Sequence, residues 1–174
     1  MALNITVPTA NLIKEAHQLK LMSSTFGEKN KTTFLGVHYA GGEDLKRLAG
    51  ESSNGFYWAT SLISPDIESE GKDYVTKIIQ NANSEAKYIS SSDYHTGVIN
   101  AQLVVEAFRR AKQTSKKDGK PISRAMVLEA LENMNGANKF SPLNIIDGVE
   151  FTTKDHSALH KVVIYKMQNQ RFEH

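Results

Sequence analysis

Apolar residues recur at helical spacing in several stretches of the chain. After Pro8, the side chains of Leu12, Ile13 and Ala16 fall on one face, and Thr9 is predicted to cap the helix. The longest helix is predicted over residues 93–113, where six apolar positions share helical spacing. Further helices are predicted over residues 44–49, from the Ser64-Pro65-Asp66 segment onward, and after a cap at Ser123.

Runs of β-branched and aromatic residues predict the strands. These runs cover residues 2–7, 32–37, 56–60, 148–152 and 161–167, and a turn is predicted at 168–170. Strands that alternate with helices are typical of an α/β protein, so we expect a largely parallel sheet.

Composition excludes several functional classes. The 174 residues carry a net charge of +2 with scattered basic residues, which does not favour nucleic-acid binding. No cysteine is present, so disulfides, zinc–thiolate sites and thiol catalysis are excluded. Residues 1–11 lack the basic and apolar regions of a signal peptide. Either the protein stays in the cytoplasm or the front of a longer chain is absent.

Motifs for catalysis or metal binding are weak or missing. There is no phosphate-binding glycine loop, and no G-x-S-x-G nucleophile turn. His156 and His160, beside Asp155, have metal-ligand spacing only on a helix, whereas their surroundings predict a loop that enters a strand. We therefore expect no enzyme activity, no cofactor and no metal site.

Aromatic residues at the ends of predicted elements give a stronger signal. His38 and Tyr39 follow directly on a predicted strand, where open α/β sheets bind their ligands. Tyr94 and His95 open the longest helix. The alternative is that all four side chains fill the core or its rim.

Six segments in order resemble the C-terminal half of type I periplasmic binding proteins of the branched-chain amino acid ABC transporter class. They read "NLIKEAHQLKL", "TFLG", "EDLKRLAGESSNGFYWA", "YHTGVINAQLVVEAFRRA", "ISRAMVLEALENM" and "GVEFTTKDHSALHKVVIYKMQNQRF". The resemblance implies two lobes of parallel sheet wrapped by helices, with the ligand clamped between them, and a chain that is a fragment. It places residues 1–54 at the end of lobe two, 55–145 in the second half of lobe one, and 146–174 in the hinge return and closing strands of lobe two.

The same resemblance implies a ligand site and partners. The expected ligand-binding residues are Asn4, Thr6, His38, Tyr39, Tyr94 and His95. Amino-acid-binding members carry a glutamate for the ligand's ammonium group where this chain has His38, so we expect a carboxylate or aromatic acid without an α-amino group.

The implied function is solute binding for an ABC importer, with an ABC permease as partner and a periplasmic or extracytoplasmic location for the full-length parent. Exposed sheet edges predict a homo-oligomer. A ligand-sensing regulatory domain of the same fold is the first alternative, and an α/β enzyme is the second.

Overall fold

The computed structural model describes residues 5–82, 89, 91–142, 145–146 and 148–174. Within these ranges the chain is α/β, as expected. The helices are α1 (Thr6–Gln18), α2 (Glu43–Ala49), α3 (Glu70–Asn81), α4 (Ser92–Asp118) and α5 (Arg124–Glu132), and the strands are β1 (Leu35–Gly36), β2 (Tyr57–Thr60), β3 (Val163–Gln168) and β4 (Arg171–Glu173).

The four strands form one mixed sheet in the order β1-β2-β3-β4. Only β1 and β2 are parallel, whereas β2–β3 and β3–β4 are antiparallel. The expectation of a largely parallel sheet is therefore wrong for the described strands. A tight hairpin causes part of the difference, because Asn169 and Gln170 both adopt positive φ (49° and 59°) and turn β3 directly into β4. The predicted turn at 168–170 is confirmed.

Four local predictions near helix starts or strands need correction. Residues 6 and 7 of the predicted first strand lie in α1, and Thr9 is inside that helix, where its hydroxyl donates to the Ile5 carbonyl (3.0 Å) instead of capping.

The Ser64 hydroxyl accepts from the Asp66 N–H in a turn, and α3 begins six residues later with Ser69 as its cap. In the described part of 148–152, Val149 forms a single bridge to Phe140 and no strand. The cap at Ser123 is confirmed, since its side chain accepts from the N–H of Met126.

Buried side chains form two apolar cores. The first joins α1, α2 and the sheet, and Trp58 and Phe56 are its largest fully buried members. The second joins α3 and α4 with the segment around Ile145, Ile146 and Val149. Along the chain, the change from the first core to the second falls between Trp58 and Leu62, later than the predicted boundary after residue 54. The assignment of residues 1–54, 55–145 and 146–174 to lobes stays a prediction.

Across the described residues, every helix is too short or too polar to cross a bilayer.

Candidate functional site

The turn that follows β1 is held firmly against the first core. It carries His38 and Tyr39 in a short 3-10 helix, His38–Ala40. The indole Nε1 of Trp58 donates to the carbonyl of His38 (3.1 Å), and the two rings stack with centroids 6.4 Å apart. Gly41 lies so close to the indole that a Cβ there would be 2.3 Å from its Cδ1. The sheet therefore fixes both the position and the direction of this turn.

Thr60 contacts the ring of His38. The Thr60 hydroxyl oxygen accepts from the N–H of Leu62 (3.2 Å) and lies 2.9 Å from Nδ1 of His38, where either group can be the donor. Partial burial lowers the pKa of His38, and the nearby carboxylate of Asp93 opposes this shift only in part. A neutral ring that accepts at Nδ1 carries its hydrogen at Nε2 and can donate it to another group, whereas a ring that donates at Nδ1 offers Nε2 as an acceptor.

A cavity of about 440 Å³ opens beside His38 and Tyr39. Its far wall is the start of α4, which is brought close by Gly42: this residue has φ +84°, and a Cβ there would be 2.8 Å from the Ser92 hydroxyl. The lining residues come from α1, the β1–α2 turn, α2 and the start of α4: Ile5, Thr6, His38, Tyr39, Gly41, Glu43, Asp44, Arg47, Ser91, Ser92 and Asp93.

The charges in this cavity are mixed. Arg47 pairs with Asp44 (3.1 Å), and Glu43 pairs with Lys46 (2.7 Å). Asp93 is exposed at the start of α4, and within the described part of the chain it forms no ion pair with a lysine or arginine. The cavity therefore offers one carboxylate whose charge is not already matched by a cation.

A second, more apolar cavity of about 300 Å³ also borders His38 and Tyr39. Its other walls include Leu62, Ile99 and Leu103. The two aromatic side chains thus stand between a polar space and an apolar one. Such a pair of spaces suits a small molecule with a polar end and a hydrocarbon end.

The structure brings three of the six expected site residues together. Thr6, His38 and Tyr39 line the 440 Å³ cavity, and the Thr6 hydroxyl donates to the Tyr39 carbonyl (3.0 Å). Thr6 reaches this place from the first residue of α1 and not from a strand end. Asn4 lies outside the described residues.

The remaining two expected residues lie elsewhere on α4. Tyr94 lines a separate cavity of about 790 Å³ between α3 and α4. His95 is buried, and its Nε2 lies 2.9 Å from the carbonyl of Ile89, while burial lowers its pKa. Neither residue lines the two cavities at His38. Their role in ligand binding stays a prediction.

Sequence reasoning missed Arg47, Ser92 and Asp93, which line the same cavity as His38. Sequence patterns near these residues could have located them. Ser91 caps the longest helix by accepting from the N–H of Tyr94, so the residues at that cap stand at its exposed start. Arg47 lies one helical turn after Glu43, directly behind the turn that carries His38.

The loop at His156 and His160 leads into β3 as predicted. His156 Nε2 lies 3.0 Å from the carboxylate of Glu132, a protein partner rather than a metal-ligand companion. Among the described residues, no three histidine or carboxylate side chains gather as a metal site would require.

Comparison with known proteins identifies the family. The sequence pattern of the periplasmic binding proteins matches residues 1–171. A branched chain amino acid ABC transporter from Thermus thermophilus, solved with bound valine, is 32% identical over 98% of this chain and 42% of its own, with a TM-score of 0.83. Among curated proteins, none matches.

Two further solved structures share the fold at lower identity. One is a possible leucine/isoleucine/valine-binding protein from Rhodopirellula baltica, with 19% identity, a TM-score of 0.69, and coverage of 98% of this chain and 40% of its own. The other is a leucine binding protein from Thermotoga maritima, with 17% identity, a TM-score of 0.64, and coverage of 97% and 41%. This chain thus spans about two fifths of the length of the solved structures it matches. It has the α/β fold of type I periplasmic binding proteins, and it belongs to the periplasmic binding protein family.

Proposed function

We propose that this chain contributes to the solute-binding component of an ABC importer and takes a small carboxylate-bearing ligand at the cavity beside His38 and Tyr39. The observation that most supports this proposal is the position of these two side chains, which line both the polar 440 Å³ cavity and the apolar 300 Å³ cavity. Membership of a family of solute-binding proteins supports the role. A permease as partner, an extracytoplasmic location and the absence of catalysis belong to the same proposal.

The donors at the polar end suit a carboxylate. In our proposal the Thr60 hydroxyl donates to Nδ1 of the neutral His38 ring, which leaves the Nε2–H for the ligand. The Tyr39 hydroxyl has no hydrogen-bond partner among the described residues, and the side chain is 69% exposed. In our proposal both donors bind the carboxylate of the ligand, while the 300 Å³ space receives its hydrocarbon end.

The cavity lies where two parts of the chain meet. His38 and Tyr39 belong to residues 1–54, whereas Ser92 and Asp93 belong to residues 55–145. In our proposal these parts are the two lobes, and ligand binding draws the start of α4 toward the β1–α2 turn. Closure would bury the carboxylate and strengthen its hydrogen bonds, because water is excluded.

A second candidate ligand is an amino acid, and Asp93 favours it. This carboxylate stands in the cavity without a lysine or arginine partner among the described residues, so it can accept an ammonium group. The Thermus thermophilus structure, which is 32% identical to this chain, holds valine. The expectation of a ligand without an α-amino group, which rests on His38 alone, competes with this candidate.

Matched ligand pairs test the proposal and separate the two candidates. Valine is compared with isovalerate, and phenylalanine with 3-phenylpropanoate, by ligand-observed NMR and calorimetry. Our first candidate predicts that the deaminated partner of each pair binds more tightly. Binding of the amino acid alone, weakened by Asp93→Asn, would favour the second.

Variants at the site make the result specific. Tyr39→Phe removes only a hydroxyl from an exposed ring, so it should weaken carboxylate binding and leave the fold intact. Val162→Ala, at an exposed valine that lines neither cavity, is the control. Unchanged binding by Tyr39→Phe and by His38→Gln would refute the site, and no binding of any of the four compounds would refute a small carboxylate or amino acid as ligand.

A further inference from the structure

The chain passes from the first core to the second at Leu62, in the middle of residues 60–64, which we call the crossing segment. The side chain of Leu62 is buried in the second core, whereas its backbone is held by side chains of the sheet. Its N–H donates to the Thr60 hydroxyl (3.2 Å), and its carbonyl accepts from the Tyr165 hydroxyl (3.4 Å). This one residue therefore joins the two cores.

Tyr165 holds the crossing segment at two points. Its hydroxyl accepts from the N–H of Ser64 (3.2 Å) and donates to the carbonyl of Leu62, so one oxygen satisfies two buried backbone groups. The ring itself is buried beside Trp58, its register partner on β2. Loss of the hydroxyl alone would leave the ring packed and both backbone groups without this partner, which is costly in a buried place.

Backbone contacts tie the crossing segment to the second core. The N–H of Ile63 donates to the carbonyl of Ile145 (2.8 Å), and Leu62 forms an antiparallel bridge with Ile146. The Leu62 side chain also lines the 300 Å³ cavity, opposite the ring of His38 in the same lining. A rotation of one core against the other therefore acts at Leu62 and changes the shape of this cavity.

The Thr60 hydroxyl connects the crossing segment to the candidate ligand site. Its oxygen accepts from the N–H of Leu62 and lies 2.9 Å from Nδ1 of His38. A change in the hydrogen bonds or the charge of the His38 ring therefore acts on the hydroxyl that holds Leu62. Thr60 and Tyr165 line neither of the two cavities at His38, so they can affect a ligand there only through other residues.

We propose that Thr60 and Tyr165 are positioning residues for ligand binding, which couple the hydrogen bonds of His38 to the position of Leu62. A ligand that accepts from Nε2 of His38 strengthens the bond from Thr60 to Nδ1, and through it the bond from Leu62 to Thr60. The Tyr165 hydroxyl holds the other side of the crossing segment in place meanwhile. This inference rests on the proposed function and adds residues that the ligand does not touch.

Hydrogen exchange without ligand tests the hold of Tyr165 on the crossing segment. Tyr165→Phe removes only the hydroxyl, so the amide of Ser64 should exchange roughly tenfold faster. Tyr57→Phe is the matched control, because it removes a hydroxyl from the neighbouring strand, where the ring packs edge-on against Phe26. Unchanged exchange at Ser64 in Tyr165→Phe, or an equal change in the control, would overturn this role.

Titration of His38 tests the coupling, again without ligand. A protonated ring donates at Nδ1, so the Thr60 oxygen must accept from the ring and from Leu62 together, and the bond from Leu62 weakens. The amide chemical shift of Leu62 should therefore follow the titration of His38 in the wild type. Thr60→Ser, which keeps a hydroxyl, should retain this response, and Thr60→Val should abolish it. A Leu62 shift that ignores His38, or that still follows it in Thr60→Val, would contradict the coupling.

Neighbouring ionisable groups are controlled in this titration. Those that line the cavity with His38 are Tyr39 beside it, Glu43, Asp44 and Arg47 on α2, and Asp93 on α4. The ring protons of His38 report its own titration, so the Leu62 shift is compared with them directly. The background variant is His174→Gln, because the His174 ring lies 6.1 Å from that of Tyr165.

Ligand affinity gives the last test, with valine and isovalerate as the probes. For the probe that binds, Tyr165→Phe and Thr60→Val should each raise the Kd about fivefold, whereas Tyr57→Phe and Thr60→Ser should leave it unchanged. Equal affinities of the wild type and the first two variants would overturn the coupling and leave the ligand site intact. Failure of both probes to bind would count against the proposed function instead, and the two experiments without ligand then decide the coupling.

Discussion

The turn after β1 and helix α4 both contain a glycine, but their surroundings differ completely. At Gly41 an added Cβ would lie 2.3 Å from the Trp58 ring, whereas at Gly97 it would meet nothing within 4 Å. The first glycine is required by the fold that surrounds it. No contact within the described residues requires the second glycine, which lines the open cavity between α3 and α4.

The same contrast holds for polar groups. The carbonyl and Nδ1 of His38 are both satisfied by side chains of β2, so the turn is held from two directions. On α4, Glu106 is satisfied locally by Arg109 and Arg110, which lie one turn away on the same helix. Long-range contacts therefore fix the candidate ligand site, whereas the charges on α4 are satisfied within one helical turn.

Alanine at the two glycines should give the largest difference between the regions. Gly41→Ala forces the turn away from the indole and should lower the free energy of unfolding by about 3 kcal/mol. Gly97→Ala, the matched variant, should raise it by up to about 1 kcal/mol, because glycine disfavours the helix. Urea unfolding at low protein concentration measures both. Similar effects of the two variants would abolish the contrast.

The indole hydrogen bond should have the next largest effect. Trp58→Phe removes the donor to the His38 carbonyl and part of the buried ring, so we expect a loss of about 2 kcal/mol. Phe108→Leu changes an aromatic ring that is half exposed and should cost less than about 0.5 kcal/mol in the monomer. Thermal unfolding of both variants at low concentration decides this point, and a cost for Phe108→Leu that matches Trp58→Phe would contradict it.

Thr60→Val should cost about 1 kcal/mol and change the state of His38. The hydroxyl no longer donates to Nδ1, so ¹⁵N chemical shifts should show the ring losing its preference for the Nε2–H tautomer. Burial keeps the pKa of His38 below 6.5 in the folded protein. The stability that depends on a neutral His38 ring is therefore present above pH 6.5, and it is lost as the pH falls through the pKa that His38 has in the folded state. Identical ring shifts in the wild type and variant would exclude the proposed role of Thr60.

Glu106 should give the smallest effect, and the size of this effect should depend on pH. Hydrogen bonds from Arg109 and Arg110 lower the pKa of Glu106 to about 2 from its usual 4.5. The carboxylate therefore stabilises the fold above pH 4.5, and this contribution is lost as pH falls toward 2. Glu106→Gln should lower the free energy of unfolding slightly at pH 7, and the difference from the wild type should disappear as the pH falls toward 2, so the variant's stability curve is flatter in that interval. A variant that follows the wild-type curve would show that the pair contributes nothing.

Local sequence patterns predicted most helices and the turn that carries the site. The strand end before His38 and Tyr39 could be located because β-formers and glycines follow each other closely there. The antiparallel partner of β2 could not, since Trp58 pairs with Tyr165 across more than a hundred residues. At the other extreme, the Ile5–Val7 segment consists of β-formers and is nevertheless partly helical, because α1 buries Ala10 and Ile13 against the first core.

Part of the site depends on contacts between residues that are far apart in the chain. Ser92 and Asp93 reach the cavity because Gly42 lets α4 approach the β1–α2 turn, fifty residues earlier in the chain. His95 shows the reverse. It follows Tyr94 at the helix start, yet the helical rotation turns it inward to the Ile89 carbonyl. One residue of rotation separates a buried side chain from one that lines a cavity.

The pairing of β2 with β3 has a consequence for synthesis. Tyr165, Met167 and Phe172 close the first core, and the Tyr165 hydroxyl accepts from the N–H of Ser64. While residues 163–173 are still inside the ribosome, β2 and the underside of Trp58 have no cover. The nascent chain therefore carries an incompletely covered aromatic surface until these two strands emerge, and such a surface favours aggregation.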